Sequence, residues 1–315
     1  MVLGELPVWF LRGFAIFFGL IWGSFLNVVI YRVPREMSVV HPGSHCPACG
    51  KPVRAYDNIP VLSFLILRGK ARCCGAKMSL RYPLVELLGG LASVAILELC
   101  VRVLPGNTTA VRALCIYLAD FAVTMALIAA AFIDLEHMFL PDSINLGGAI
   151  LGVATASFRG LSFTDSILGA VVGFVMVWLP FIFLYKMVRG RQGMGMGDAK
   201  LLLLAGAWFG WPGAVWALLA GAMQGTLGAI VIWMLKGKIE EPESVKADLA
   251  ELRKAAEAGD EEAKELLEDD PLAAPAAEGL GGARLAFGPF LILAFLELLL
   301  FQTELGNLAR EYLFL

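Results

Sequence analysis

Phe121-Ala-Val-Thr-Met-Ala-Leu-Ile-Ala-Ala-Ala-Phe-Ile-Asp134 runs thirteen residues without a charge and then stops on a carboxylate. Extended back past Asp120 to about residue 113, the segment has the length that a hydrocarbon core of roughly 30 Å asks of a helix. The rest of the chain repeats the pattern. Of 315 residues, 58% are hydrophobic and 17% charged, and the mean hydropathy is +0.74. A soluble domain carries about 25% charged residues. Because the apolar residues come in long blocks, the composition predicts an all-α polytopic membrane protein in contact with lipid. The net charge of −3 says little, since membrane proteins express charge through loop placement. No nucleic-acid partner is expected.

Eight apolar segments predict about eight transmembrane helices, near residues 13–31, 83–101, 113–133, 144–158, 166–187, 199–211, 213–235 and 286–303. The fourth and sixth are short and flanked by glycine, as tilted, broken or partly spanning helices would be. The first block, Phe14 to Val29, is read as a retained helix and not a signal peptide. It runs into Tyr31-Arg-Val-Pro-Arg35 with no small-residue cleavage site. Between Arg32 and Arg81 stand nine Lys or Arg against only Glu36 and Asp57, so this loop is expected in the cytoplasm. Alternation then brings the breaks near 134–143, 188–198 and 236–285 to the same side, and both termini to the periplasm.

Two aspartates at that cytoplasmic edge stand out, because charge beside lipid needs a reason. Asp134 closes the third segment. Asp198 opens the sixth, after Gly193-Met-Gly-Met-Gly197. They are 64 positions apart, yet the topology brings them to one membrane face. Two carboxyl groups close together in a low-dielectric site hold one proton between them. The ionised one can take a proton from a water attacking a peptide carbonyl, and the protonated one can donate to the carbonyl oxygen and the departing amine. Gly195 and Gly197 would let an extended substrate pass close to the backbone. The competing reading makes each aspartate a helix cap or an ion-pair partner. Asp142, just after Pro141, fits capping better. Asp120, Glu98 and Glu297 lie deeper or toward the other face.

Cys100 and Cys115 sit in apolar blocks and read as small buried hydrophobes. Cys46, Cys49, Cys73 and Cys74 share the basic loop, where structural zinc competes with a disulfide and with free thiols; a cytoplasmic loop disfavours the disulfide. Cys46-Pro-Ala-Cys49 is the usual half-site. The second pair is adjacent in sequence, so its side chains are expected to diverge, and His41 or His45 could replace one of them. Residues 236–285 differ in kind, being acidic and rich in Ala and Glu, with a turn expected at Ala258-Gly-Asp260 and a tether over 271–282. A solvated insertion is the plain reading, and a partner's docking surface the other.

The motifs are Gly23-Ser-Phe-Leu-Asn-Val-Val-Ile-Tyr-Arg-Val-Pro34, Cys46-Pro-Ala-Cys49, Asp57-Asn-Ile-Pro60 and Arg81-Tyr-Pro-Leu-Val-Glu86. Phe132-Ile-Asp-Leu-Glu-His137, Leu140-Pro-Asp142, Gly195-Met-Gly-Asp-Ala-Lys200 and Phe287-Gly-Pro-Phe290 follow. In this order they resemble the type IV prepilin peptidases, bifunctional leader peptidases and N-methyltransferases of pilus and type II secretion systems. The resemblance implies a bacterial inner-membrane aspartyl peptidase with Asp134 and Asp198 as the catalytic pair and Gly195, Gly197 and Lys200 in the active-site loop. It implies prepilin or pseudopilin substrates, with a short basic leader cut after Gly on the cytoplasmic side. It also implies methylation of the new N-terminal residue from S-adenosylmethionine. Asp57, Asn58, Arg68, Lys70, Arg81 and Glu86 are the polar candidates for that second activity, each equally readable as loop structure. Two departures stand out. Ala71 occupies a position where a cysteine is expected, and the acidic insertion is long. A peptidase that has lost methylation is therefore the alternative, and a transporter or scaffold the remote one.

The expected organisation is a first helix over 1–31, a Cys-rich cytoplasmic domain over 32–82 and a transmembrane peptidase core over 83–235. The acidic insertion and a last helix with its tail, 286–315, follow.

Overall fold

The structure, a computed structural model, describes residues 2–5, 7–190, 192–237, 241–269, 272–273 and 285–313. Most of the tether expected over 271–282 lies outside them. Among the described residues the chain is helical, with no strand beyond isolated bridges. Five helices are long and apolar enough to cross a membrane, and a shorter apolar one covers Gly288–Phe301. Their outer faces carry large exposed apolar side chains, among them Trp9, Phe14, Phe17, Leu219, Met223 and Leu227. In water such faces would be a liability; in lipid they are the solvent-matched surface.

The chain divides into two compact units, Met1–Ala129 and Ala130–Leu315. In the first, α1 (Val8–Arg32) and α3 (Arg81–Val103) run antiparallel. Arg12 pairs with Glu98 at one end, and the Asn27 amide donates to the Tyr82 carbonyl at the other, 3.1 Å away. Small residues let the backbones touch, as association within a bilayer favours: a Cβ on Gly19 would lie 2.4 Å from the Gly89 oxygen. Between α1 and α3 lies the cysteine-bearing loop, including α2 (Leu62–Ile66). α4 (Ala110–His137) begins in this unit, where Tyr117 shares a 2.7 Å hydrogen bond with Ser93.

The second unit is built around the start of α8 (Met196–Lys236). Ala199, Leu201, Leu202, Leu204, Ala205, Ala207 and Trp208 are all at most 1% exposed, so this stretch is apolar all round and enclosed. α5 (Asp142–Thr155) runs parallel to it, since Asn145 reaches Gly197 and Gly148 reaches Trp208. α6 (Phe163–Val177) runs antiparallel, with Gly169 against Gly206 and Gly173 against Leu202. α6 continues through a π-helical turn, Trp178–Leu184, into α7 (Tyr185–Arg189).

α8 is not one rod. Gly210 has φ 73° and ψ −176°, just before Pro212. The Leu202 oxygen and the Ala214 Cβ lie 2.2 and 3.1 Å from the point where a Cβ on Gly173 would sit. Twelve residues of straight helix would hold two such groups about 18 Å apart. The chain therefore folds back at Gly210, and its two arms correspond to the segments expected at 199–211 and 213–235. The second arm packs against α11 (Gly288–Leu313), with Gly221 against Leu291 and Gly225 against Phe287. Before α11 stand α9 (Glu243–Glu257) and α10 (Glu261–Asp269), joined at Gly259 (φ 100°), where the sequence places the turn.

The closest backbone approach gives a direct check. A Cβ on Gly206 would lie 1.9 Å from the Gly169 carbonyl oxygen, whereas one on Gly147 would meet nothing within 4 Å. Gly206→Val is expected to destabilise the protein by about 1–3 kcal/mol or more, read as a fall in melting temperature in detergent, with Gly147→Ala unchanged. Equal melting of both variants and wild type would refute this packing.

Candidate active site

Asp134 lies in the last turn of α4 and is 4% exposed. After it the chain turns through Met138 (φ 52°) and Pro141 into α5. Because α5 and the first arm of α8 are parallel, their starting ends lie together, and Asp198 is in the first turn of that arm. The bond from the Asn145 amide to the Gly197 oxygen, 3.3 Å, ties the two starts. So does Leu140, 3.0 Å from where a Cβ on Gly197 would stand and 2.9 Å from where one on Gly288 would stand. Asp134, bonded to the Gly288 N–H, and Asp198, next to Gly197, are thus brought to one end of these helices by way of Leu140. Asp198 is partly exposed.

The start of α11 completes the arrangement. The Gly288 N–H donates to Asp134 Oδ2 at 3.0 Å. A Cβ there would lie 2.6 Å from the same oxygen, so only glycine brings this backbone so near. Ser244, at the start of α9, donates its hydroxyl to the carbonyl of Glu136, two residues past Asp134. Thus α9 and α11, one at either end of the acidic insertion, both attach to the final turn of α4.

Asp142 differs from its expected capping role. It makes no side-chain cap for α5 and instead holds Lys200 Nζ at 2.6 Å. Gly195 starts α8, and a Cβ on it would stand 3.6 Å from Asp198 Oδ2. Gly288, Asn145 and Ser244 were not singled out by sequence reasoning. Gly288 stood only inside the Phe287-Gly-Pro-Phe290 motif, and the signal that could have found Asn145 is a lone amide in an apolar stretch.

In the first unit the four loop cysteines gather, with all sulfurs within 4.8 Å of one another. The expected divergence of Cys73 and Cys74 does not occur, their sulfurs being 3.9 Å apart. Cys49 and Cys73 are separated by 3.4 Å, and Cys46 and Cys74 by 3.8 Å. Four sulfurs around a tetrahedral ion at about 2.3 Å stand roughly 3.8 Å from each other, so the set fits a metal. Burial pushes the Cys46 thiol up, but the backbone of Ala48 and Cys49 and the thiols of Cys73 and Cys74 outweigh it and bring it to about 7. Cys73, hydrogen-bonded to Cys49, is pushed up to about 12. Thiols this crowded do not all ionise unless a cation sits among them.

Of the other loop candidates, Asp57 is engaged by Arg72 Nε at 2.8 Å. Glu86 accepts the Val61 N–H at 2.7 Å, fixing a β-branched residue at φ 62°. Asn58, Arg68 and Lys70 are exposed and Arg81 is partly so.

Residues 17–99 match the family described as Bacterial Peptidase A24 N-terminal domain, and residues 121–232 the Type IV leader peptidase family. The chain is similar to the prepilin leader peptidase/N-methyltransferase of Myxococcus xanthus (strain DK1622). That match is 39% identical, over 76% of this chain and 69% of the relative. It is likewise similar to proteins of the same name from Aeromonas hydrophila (36%, over 72% and 83%) and Burkholderia pseudomallei (strain 1026b) (34%, over 75% and 82%). No solved structure matches the chain.

Proposed function

The chain belongs to the type IV leader peptidase family, and we infer from that premise that Asp134 and Asp198 are its cleaving pair. It removes the leader of prepilins and pseudopilins and then methylates the residue so exposed. The observation that carries the assignment is the meeting of the α4 end with the parallel starts of α5 and α8, capped by the Gly288 N–H on Asp134 Oδ2.

An N–H can only donate, so Oδ2 of Asp134 is held as an acceptor. The single proton of the pair then lies on Oδ1 of Asp134 or on Asp198. Water entering beside the partly exposed Asp198 gives one proton to the ionised carboxylate while its oxygen bonds to the substrate carbonyl carbon. The other carboxyl donates its proton to the carbonyl oxygen. When the C–N bond breaks, the first carboxyl passes its proton to the leaving amine and the diol returns one hydroxyl proton to the other carboxylate, so the product is a carboxylic acid and the pair again holds one proton.

Cys46, Cys49, Cys73 and Cys74 hold a structural zinc ion that fixes the loop. S-adenosylmethionine supplies the methyl group when bound. We assign its binding to the loop set Asp57, Asn58, Arg68, Lys70, Arg81 and Glu86, of which Asp57 and Glu86 also hold the loop's own fold. The gathering of four thiols despite Ala71 favours a chain that still methylates. Counting α1, α3, α4, α5, α6, both arms of α8 and α11 gives eight crossings of a bacterial inner membrane. Both termini are periplasmic in this reading.

The test is incubation of the purified protein with a prepilin and S-adenosylmethionine, with and without a zinc chelator. Mass spectrometry should find the leader removed and one CH₂ added to the mature chain, with the chelator stopping only the second change. No cleavage would refute the peptidase assignment, and cleavage without methylation would leave a peptidase alone.

A further inference from the structure

The cysteine loop contains one turn built twice, 25 residues apart. In the first copy the Cys46 N–H donates to the Lys51 carbonyl and the Gly50 N–H to the Cys46 carbonyl. In the second, the Ala71 N–H donates to the Ala76 carbonyl and the Gly75 N–H to the Ala71 carbonyl. All four distances are 2.8 Å. The flanking bridges repeat with the same offset, His45 with Pro52 and Lys70 with Lys77. The glycines match as well, at φ 70° for Gly50 and 72° for Gly75. The sequences hide this identity, since Cys46-Pro-Ala-Cys-Gly-Lys51 and Ala71-Arg-Cys-Cys-Gly-Ala76 share only the fourth and fifth positions.

Superposed by these bonds, Cys74 corresponds to Cys49 and Ala71 to Cys46, while Cys73 corresponds to Ala48. The second turn thus has a methyl group where the first has its leading thiol, and a thiol one place before its trailing one. Yet the four sulfurs still close into one cluster, with Cys73 3.4 Å from Cys49. The residue between, Arg72, is anchored through Nε to both oxygens of Asp57 at 2.8 and 3.0 Å. That ion pair holds the residue between positions 71 and 73 against Asp57, with the Cys73 sulfur on the side of Cys49.

We propose that Cys73 has taken over from position 71 as the fourth thiolate of the zinc centre, so that positions 71 and 73 are interchangeable sources of one ligand. This rests on the zinc reading above and adds which position of the turn supplies the sulfur. Thiolate binding displaces one proton from each thiol to solvent, and no redox change is involved.

The experiment uses the full chain in detergent, measuring tightly bound zinc per chain and its resistance to a chelator. The cobalt(II)-loaded protein gives a second readout through its sulfur-to-metal absorption. Wild type should hold one zinc with a four-thiolate cobalt spectrum. Cys73→Ala should lose zinc at least tenfold faster to the chelator and show weaker sulfur absorption. The double variant Ala71→Cys/Cys73→Ala should recover both wild-type values, and recover folding too if the single variant folds poorly. A double variant no better than Cys73→Ala overturns the exchange while leaving the zinc reading intact. Wild-type protein holding no zinc overturns both.

Discussion

Asp134→Asn and Asp198→Asn proteins should insert and fold as wild type does and leave a prepilin uncut, each with kcat down by about a thousandfold or more. The substitutions are close to isosteric, and at position 134 the new amide's oxygen can still accept the Gly288 N–H. What is lost is the ability of the pair to take one proton and give another. Methylation of an already cleaved substrate should persist in both variants, because the residues assigned to it lie in the first unit. Either variant cutting at the wild-type rate would remove that aspartate from the mechanism. Loss of methylation alongside cleavage would show that the two activities share a site.

Gly288→Ala carries the second large effect. The added Cβ would lie 2.6 Å from Asp134 Oδ2 and 2.9 Å from Leu140 Cδ2, distances at which one of the three groups must move. If the α11 start retreats, Asp134 loses its N–H donor; if the carboxylate turns, it loses its alignment with Asp198. A displacement of about 1 Å at reacting groups costs on the order of a hundredfold in rate, so kcat should fall by about that factor with KM nearly unchanged. Zinc content and melting temperature should stay near wild type. Unchanged kcat would mean that the α11 start does not position Asp134 during turnover.

What the sequence could tell follows from which groups leave a trace in residue type. That Asp134 and Asp198 lie at one end of the helices was legible because a charge ending an apolar run is costly in lipid, and alternation of the apolar segments brings both breaks to one side. Gly288 was not, because its contribution is a backbone N–H, which every residue but proline has. The segments at 199–211 and 213–235 were found by hydropathy, but their fold-back rests on Gly210, whose left-handed φ no hydropathy profile records. Asp142 was misread because a carboxylate beside proline at a helix start resembles a cap. Its real partner, Lys200, is 58 positions away and meets it only through the parallel packing of α5 and α8. The expected divergence of Cys73 and Cys74 treated the pair in isolation. The hydrogen-bonded turn and the Arg72 anchor overrule that local preference.

α5 has 14 residues, and the α8 arm from Met196 to Phe209 is equally short, about 21 Å each at 1.5 Å per residue. Each is shorter than a hydrocarbon slab of roughly 30 Å, so if both cross as proposed, the lipids beside them compress or the helix ends stay submerged. Such mismatch costs a fraction of a kcal/mol per ångström, and it falls on the two elements whose starts bring the carboxyl groups together. On the proposed assignment of the pair, acyl-chain length is then expected to act on turnover, because the strain of matching the bilayer falls where the two carboxyl groups meet.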